Sequence, residues 1–286
     1  MDRESIFPRD RVTIVGVLNL TPDSFSDGGR FVTASEQVDV AAGVCAAEEL
    51  VAAGAHVLDL GGESTRPGAG EVPVEVEIRR TRPLVERLAQ RIDTPISIDT
   101  RKEKVARAAL ASGARIVNDI SGLRCDPGIA ELCAATGATL ILGHMRGTPE
   151  SMQIAPRYDD VLAEVARELE SSIEIALAAG VAREQLVIDP GIGFGKRLED
   201  NLQLIAHAGW LRERLALPIL IGHSRKSFLG KITGDPVDER EVATTAVSGI
   251  AAFTGADALR VHDVASARRA ASVGRALRGA RRKELS

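Results

Sequence analysis

The chain has 286 residues, is 44% hydrophobic, and carries 36 basic against 40 acidic side chains, a net charge of -4 at pH 7. That length is ordinary for one α/β barrel domain and allows a large core. The acidic balance argues against a nucleic-acid or anionic-membrane partner, and no apolar run reaches the ~18 residues of a membrane span, so a soluble cytoplasmic protein is expected.

The opening segment, MDRESIFPRD, carries acids where a signal peptide needs basic residues followed by an apolar stretch, so residues 1–11 are read as an N-terminal extension. A first strand spans 13–18 and runs out at Asn19. The stretch from Ser35 to Ala53 reads as a cladding helix: Val40, Val44, Ala47 and Val51 recur at steps of three and four, while Glu36, Asp39 and Glu48 face water. Further strands fall at 56–60, 95–99, 115–118, 139–144, 186–189, 218–222 and 257–261, with room for a helix after each. Helices at 158–179 and 239–253 resemble the first. The second is nearly all small apolar residues after Val242, a surface suited to another subunit. Residues 279–286 form a short, charged, frayed tail.

The same unit recurs in AAGAHVLD, ASGARIVND, ATGATLILGH and FTGADALRVH, in which a Gly follows an Ala-rich helical stretch and precedes a β-prone run. That Gly fits the left-handed position that ends a helix. The runs themselves end on polar or ionisable side chains, namely Asn19, Asp59, Asp99, Asn118, His144, Asp189 and Arg260, which packing alone does not demand. Alternating β and α with short returns implies parallel strands, and the expected fold is a single (β/α)8 TIM barrel spanning 1–286, with a doubly wound open sheet as the alternative. In a barrel those seven groups converge on one mouth, so the chain reads as an enzyme. Cys45, Cys125 and Cys133 show no metal-ligand spacing and are read as reduced, buried small hydrophobes.

The strings GVLNLTPDSFSDGG (16–29), DLGGESTRPGA (59–69), SIDT (97–100), NDISG (118–122), HMRGTP (144–149), DPGIGFGK (189–196), SRKSFLG (224–230) and RVHD (260–263) together resemble the dihydropteroate synthase family, in order and over nearly the whole chain. Each string is common on its own; eight at barrel-compatible spacing are not. The resemblance implies a TIM barrel that joins (7,8-dihydropterin-6-yl)methyl diphosphate to 4-aminobenzoate, releasing diphosphate and giving 7,8-dihydropteroate for folate synthesis. It also implies a homodimer and a target of sulfonamides.

A reduced pterin presents ring nitrogens, an exocyclic amine and a carbonyl, so its pocket needs fixed acceptors and a donor; Asp99, Asn118, Asp189 and Lys226 form that set. By resemblance, Asp189 and Asn118 hold the pyrimidine edge, Lys226 donates to the carbonyl and N5, and Asp99 faces the ring near N8. Taken singly, Asp99 could instead cap the helix after the third strand and Asp189 could merely start the DPG turn. Arg260 and His262 lie two apart, share a face, and belong to the usual phosphate region of a barrel. The resemblance adds Thr65 and Arg66 to the diphosphate set and places Mg²⁺ on Asn19, with diphosphate oxygens and waters completing the shell. It further implies a dissociative reaction with Asp99, Lys226, Arg260 and His262 as the catalytic groups. Phe25, Pro67 and Phe194 would wall the 4-aminobenzoate, with Ser227 at the following helix start receiving its carboxylate. Loops 22–31 and 63–73, rich in Gly, Pro, Ser and Asp, are expected to act as lids.

Other readings are weaker. GIGFGKR is no Walker A loop, because Pro190 occupies the first required Gly and Arg197 replaces Ser or Thr. His56 and His207 default to surface or capping roles. Gly143 and His223 sit at positions read as variable, able to tune pocket shape. A pterin-dependent methyltransferase would not need the Asn19, Thr65, Arg66, Arg260 and His262 group. An idle pterin-binding paralogue would be expected to have lost one of the charged residues.

Overall fold

A computed structural model describes residues 6–21, 38–64 and 68–280. Eight parallel strands, β1 (Thr13–Asn19), β2 (Val57–Gly61), β3 (Ile96–Asp99), β4 (Ile116–Asp119), β5 (Thr139–Gly143), β6 (Leu186–Asp189), β7 (Leu220–Gly222) and β8 (Ala258–Val261), make one sheet. Its order is β6-β5-β4-β3-β2-β1-β8-β7, and its ends meet through a bridge between Ile188 and Ile219, where the Ile188 N–H also donates to Pro218 O at 2.9 Å. The fold is therefore the (β/α)8 barrel rather than the open sheet.

Among the described residues ten α-helices surround it: α1 (Val40–Ala52), α2 (Val74–Ala89), α3 (Glu103–Ala111), α4 (Gly128–Thr136), α5 (Val161–Ala178), α6 (Leu198–Ala206), α7 (Ala208–Leu215), α8 (Ser227–Thr233), α9 (Glu241–Thr254) and α10 (Val264–Ala280). Asp39 faces water as expected and also caps α1 by accepting from the Ala42 N–H at 3.0 Å, and Asp160 caps α5 by accepting from the Ala163 N–H at 3.1 Å. Residues 35–37 lie outside the described residues. His207 separates α6 from α7 with its ring bonded to Gln203 O at 2.9 Å, so the single helix expected after β6 is two. His56 accepts from the Ile14 N–H at 2.9 Å and so extends the β1–β2 ladder at its start. The helix-ending glycines read from the repeat, Gly54, Gly113, Gly137 and Gly255, all have positive φ, where a Cβ would clash with the chain's own backbone.

Because inward side chains alternate, the paired register puts Val57 and Asp59, Ser97 and Asp99, Ile116 and Asn118, Val187 and Asp189, and Ala258 and Arg260 on the inside. Over one inward step, ~6.6 Å, the lining changes from mainly hydrocarbon to hydrogen-bonding groups. The hydrocarbon layer is sealed from below by Ile6 and Phe7, which pack with Val15, Val57, Ile116, Ile141, Val187, Leu220 and Ala258. The Thr13 hydroxyl donates to Ile6 O at 3.0 Å and holds that plug in place. A second, larger core lies between strands and helices.

The small-residue face of α9 packs within the chain, against α10: a Cβ on Gly274 would lie 2.0 Å from Gly249 O. The apolar side chains that do face outward on these helices are Val242, Ile250, Val273 and Leu277. The cysteines also differ from expectation. Cys133 is buried, but Cys45 lies on the outer face of α1 and Cys125 on the loop after β4, both exposed, and all three are free thiols.

Candidate active site

A cleft of about 400 Å³ opens at the carboxyl ends of the strands, lined by Asn19, Asp99, Phe194, Lys226, Ser227, Arg260 and His262 among others. Asn118 and Asp189 stand behind its wall in the same inward layer, 2% and 5% exposed. Strand register accounts for this convergence, since Asp99 pairs with Asn118 and Gly222 with Arg260. Glycine at position 222 keeps the floor open, as a Cβ there would sit 3.6 Å from Asp189 Oδ2.

The centre of the layer is an ionic triad. Arg260 Nε donates to Asp59 Oδ2 at 2.5 Å, and Arg260 Nη2 donates to Asp99 Oδ2 at 2.7 Å. Asp99 thus does not cap α3; the first N–H of that helix is taken by Asp126 at 2.8 Å. The Asp99 carboxyl stands raised, at about 7, with burial pushing it up most, Arg260 pulling it down and Asp59 pushing it up. The Asn118 amine donates to Asp59 Oδ2 at 3.2 Å, which turns Asn118 Oδ1 away as an acceptor with no hydrogen-bond partner among the described residues. Asp59 stood among the strand-end residues of the sequence but received no role; it orients both Arg260 and Asn118.

Asp189 does start the DPG turn, its Oδ1 accepting from the Gly191 N–H at 2.7 Å. The two readings of this residue are compatible, because the turn uses Oδ1, while Oδ2 lies 3.6 Å from where a Cβ on Gly222 would sit. Burial raises the Asp189 carboxyl, and Lys226, the Gly191 amide, Lys196 and Arg260 draw it back. Lys226 enters from the loop after β7, where Arg225 takes a left-handed backbone (φ 56) held by Thr244 Oγ1 on its N–H at 3.1 Å and by Glu241 on its Nε at 2.9 Å. Burial lowers Lys226 to about 8, opposed by Asp189. Its Nζ donates to Ile192 O and stands 4.2 Å from the centroid of the Phe194 ring. Phe194 is backed by Ile120, Met145 and Met152.

At the rim, Asn19 Nδ2 lies 3.5 Å from His262 Nε2, and His262 Nδ1 lies 2.9 Å from Ser224 Oγ. Among the described residues no group of three or more His, Cys, Asp and Glu could hold a metal ion. Asn19 offers a side-chain amide oxygen, a hard donor of the kind that suits Mg²⁺. Ser227 opens α8 beside the cleft. Thr65, Arg66, Pro67, Phe25 and all of loop 22–31 lie outside the described residues. The feet of loop 63–73 are described: Glu63 accepts from Arg101 at 2.9 Å, from Lys102 at 3.0 Å and from the Val72 N–H at 2.8 Å, tying both ends to the start of α3.

Sequence reasoning also passed over Met152, Glu63 and Lys196, and named His144 as a strand end without giving it a role. Met152 carries no sequence signal. Glu63 and Lys196 lie within the quoted strings, and their burial at 8% and 3% is visible only in the fold. Asp119, inside NDISG, is structural, accepting from the Ser121 N–H at 2.8 Å and the Leu123 N–H at 2.7 Å. His223 lies away from the pocket, fully buried, with Nε2 2.9 Å from Ser248 Oγ. Gly143 cannot carry a side chain, since a Cβ would fall 2.5 Å from the Ile120 backbone.

A family profile described as pterin binding enzyme matches residues 15–262. The dihydropteroate synthase of Escherichia coli K12 is 47% identical over 251 residues, 88% of this chain and 86% of that protein. The crystal structure of Yersinia pestis dihydropteroate synthase in a sulfonamide drug complex superposes with a TM-score of 0.89 at 42% identity, covering 95% of this chain and 96% of that one. The Xanthomonas albilineans dihydropteroate synthase with 4-aminobenzoic acid gives 0.85 at 45% identity, covering 95% of each chain.

Proposed function

We infer the reaction from the family to which this chain belongs, the pterin-binding enzymes, and within them the dihydropteroate synthases: it is a transferase that condenses (7,8-dihydropterin-6-yl)methyl diphosphate with 4-aminobenzoate to 7,8-dihydropteroate and diphosphate. The observation that carries the assignment at the level of residues is the single inward layer holding Asp99, Asn118, Asp189 and Arg260, with Lys226 closing over it.

In this reading Asp189 Oδ2 and Asn118 Oδ1 accept from the pyrimidine edge of the pterin, and Lys226 donates to its carbonyl and N5. Arg260, held at Nε by Asp59 and at Nη2 by Asp99, offers Nη1 to the departing diphosphate, with His262 beside it and Thr65 and Arg66 reaching in from the second loop. Mg²⁺, when bound at Asn19, supplies positive charge to that same leaving group. Loss of diphosphate leaves a pterin methyl cation, and the buried carboxylate of Asp99 stabilises the charge that spreads into the ring. The aniline nitrogen then attacks from the side of Phe194 and Pro67, with the 4-aminobenzoate carboxylate at Ser227. No nucleophilic side chain takes part.

The reading also makes the enzyme cytoplasmic and homodimeric. Three free thiols suit a reducing compartment, and the outward Val242, Ile250, Val273 and Leu277 give α9 and α10 an apolar face that a second copy can cover. Among the described residues no helix is long and apolar enough to cross a membrane.

The deciding experiment follows diphosphate release and dihydropteroate formation from the pterin diphosphate, with and without 4-aminobenzoate and Mg²⁺. Product that depends on both additions is the expected result. Tight pterin binding without turnover would point to an idle binding subunit, and absence of pterin binding would overturn the residue assignment.

A further inference from the structure

In the loop after β6, three successive carbonyls are each claimed by a different part of the chain. Lys226 Nζ donates to Ile192 O, Gln153 Nε2 to Gly193 O at 2.6 Å, and Lys196 Nζ to Phe194 O at 3.1 Å. Of the three donors, Lys226 belongs to the substrate site and Gln153 lies on the exposed loop after β5. Lys196 is different. It is buried, and its ammonium also lies 3.0 Å from His144 Nδ1 and 3.4 Å from His144 O, at the end of β5.

His144 is 1% exposed, and its Nε2 stands 3.0 Å from Glu168 Oε2 on α5. A carboxylate can only accept, so Nε2 carries the ring proton and Nδ1 is left to accept from Lys196. The three protons of the ammonium thus find three acceptors, two on His144 just past β5 and one on the β6 loop. Backbone fit agrees with this arrangement. Gly191 has φ 68, and a Cβ there would fall 1.8 Å from His144 O and 3.4 Å from Lys196 Nζ, so loop and strand end are in direct contact. Burying an ammonium is costly unless its hydrogen bonds are made, and here they add side-chain ties just where the β5–β6 ladder runs out, at the His144 N–H donating to Asp189 O at 2.9 Å.

We propose that Lys196 is a positioning residue for the 4-aminobenzoate side of the site: by bolting the β6 loop to the end of β5, it sets where the Phe194 ring stands against Lys226. The proposal rests on the synthase reading, which gives the Phe194 wall to 4-aminobenzoate. Asp189 is placed by its own strand and by the Gly191 amide, so the pterin side depends much less on Lys196.

The test is Lys196→Met, which keeps most of the apolar stem and removes all three donors. The KM for 4-aminobenzoate should rise about tenfold, while kcat and the KM for the pterin diphosphate stay within about threefold. A merely structural role would lower the fraction of active enzyme, and so kcat, with both KM values unchanged; that result, or an equal rise in both KM values, overturns the proposal. If Lys196→Met does not fold, Glu168→Gln reads the same link from a more exposed position. An amide at 168 can donate to Nε2, which shifts the ring proton to Nδ1 and faces Lys196 with a donor; a selective rise in the 4-aminobenzoate KM is again expected, and none would overturn the link. Should the wild-type enzyme release no diphosphate, the synthase reading fails by itself. Calorimetric titration of 4-aminobenzoate then scores Lys196, with about tenfold weaker binding to the variant in support and equal binding against.

Discussion

Arg260 and Asp59, 201 residues apart in the chain, meet at 2.5 Å between Nε and Oδ2 in the middle of the barrel. This contact ties the proposed diphosphate side of the site to the pterin side, because the same Asp59 oxygen receives the Asn118 amine. Asp59→Asn removes the charge that holds Arg260 and lets Asn118 present either end of its amide. The kcat/KM for the pterin diphosphate is expected to fall on the order of 10², measured by steady-state kinetics. Unchanged kinetics would mean that Arg260 and Asn118 keep their places without it.

Asp99→Asn retains the shape of the side chain and removes its negative charge. If that charge stabilises the pterin methyl cation, kcat falls on the order of 10² to 10³ with little change in pterin binding. Wild-type turnover in this variant would sink the role.

A basic limb in the pH profile follows from Lys226. Burial lowers its ammonium from the usual lysine value to about 8, so the folded enzyme releases that proton as pH rises through about 8, two to three units before a solvent-exposed lysine would. The kcat/KM for the pterin diphosphate is therefore expected to decline as pH rises through that value. Lys226→Arg, whose charge persists, should flatten the limb whatever its effect on the plateau. A wild-type profile level to about pH 10 would contradict a charged Lys226 in the mechanism.

Acid should weaken the fold through its buried histidines. His223 is lowered to about 4 and His144 to about 3, both by burial first, against 6.5 in the unfolded chain. Below about 6.5 the unfolded chain takes up protons that the folded one refuses, so stability present above that value is lost as pH falls toward 4. Denaturant unfolding at about pH 7 and pH 5 should differ by roughly 2 kcal/mol for each such histidine, and His223→Gln should reduce the difference. Equal midpoints at the two pH values would show that these rings are protonated in the fold.

Phe7→Ala should cost about 3 kcal/mol in unfolding free energy, since the ring is 2% exposed and plugs the base of the barrel. A change near zero would mean that the base can be left open.

The barrel was legible because parallel strands buried on both faces read as short apolar runs, and because each return carries its glycine at a fixed place. Strand-end residues could be named for the same reason: the last inward position of Asp99, Asn118, Asp189 and Arg260 is a matter of alternation along each run. What alternation cannot supply is the partner across the barrel. Asp59 was visible as one more polar strand end, but its grip on Arg260 depends on β2 and β8 lying either side of β1. Lys196 looked like part of a phosphate loop that failed its motif, and its hydrogen bonds to His144 arise from two loops meeting in space. Helix α9 misled in the opposite way, since small residues that suit a subunit contact suit α10 equally well.

The ring of strands is not equally strong all round. Most neighbours share several rungs of backbone ladder, whereas β6 and β7 are joined by the bridge of Ile188 and Ile219 and the Ile188–Pro218 hydrogen bond. Directly above this thin join stand Asp189 on one strand and, just past the end of the other, Lys226. A pterin gripped by both residues would span the gap as an additional rung, so occupancy should tighten the scaffold where it is softest. The enzyme would then be most rigid while it holds its cation, and would loosen along the same line when product leaves.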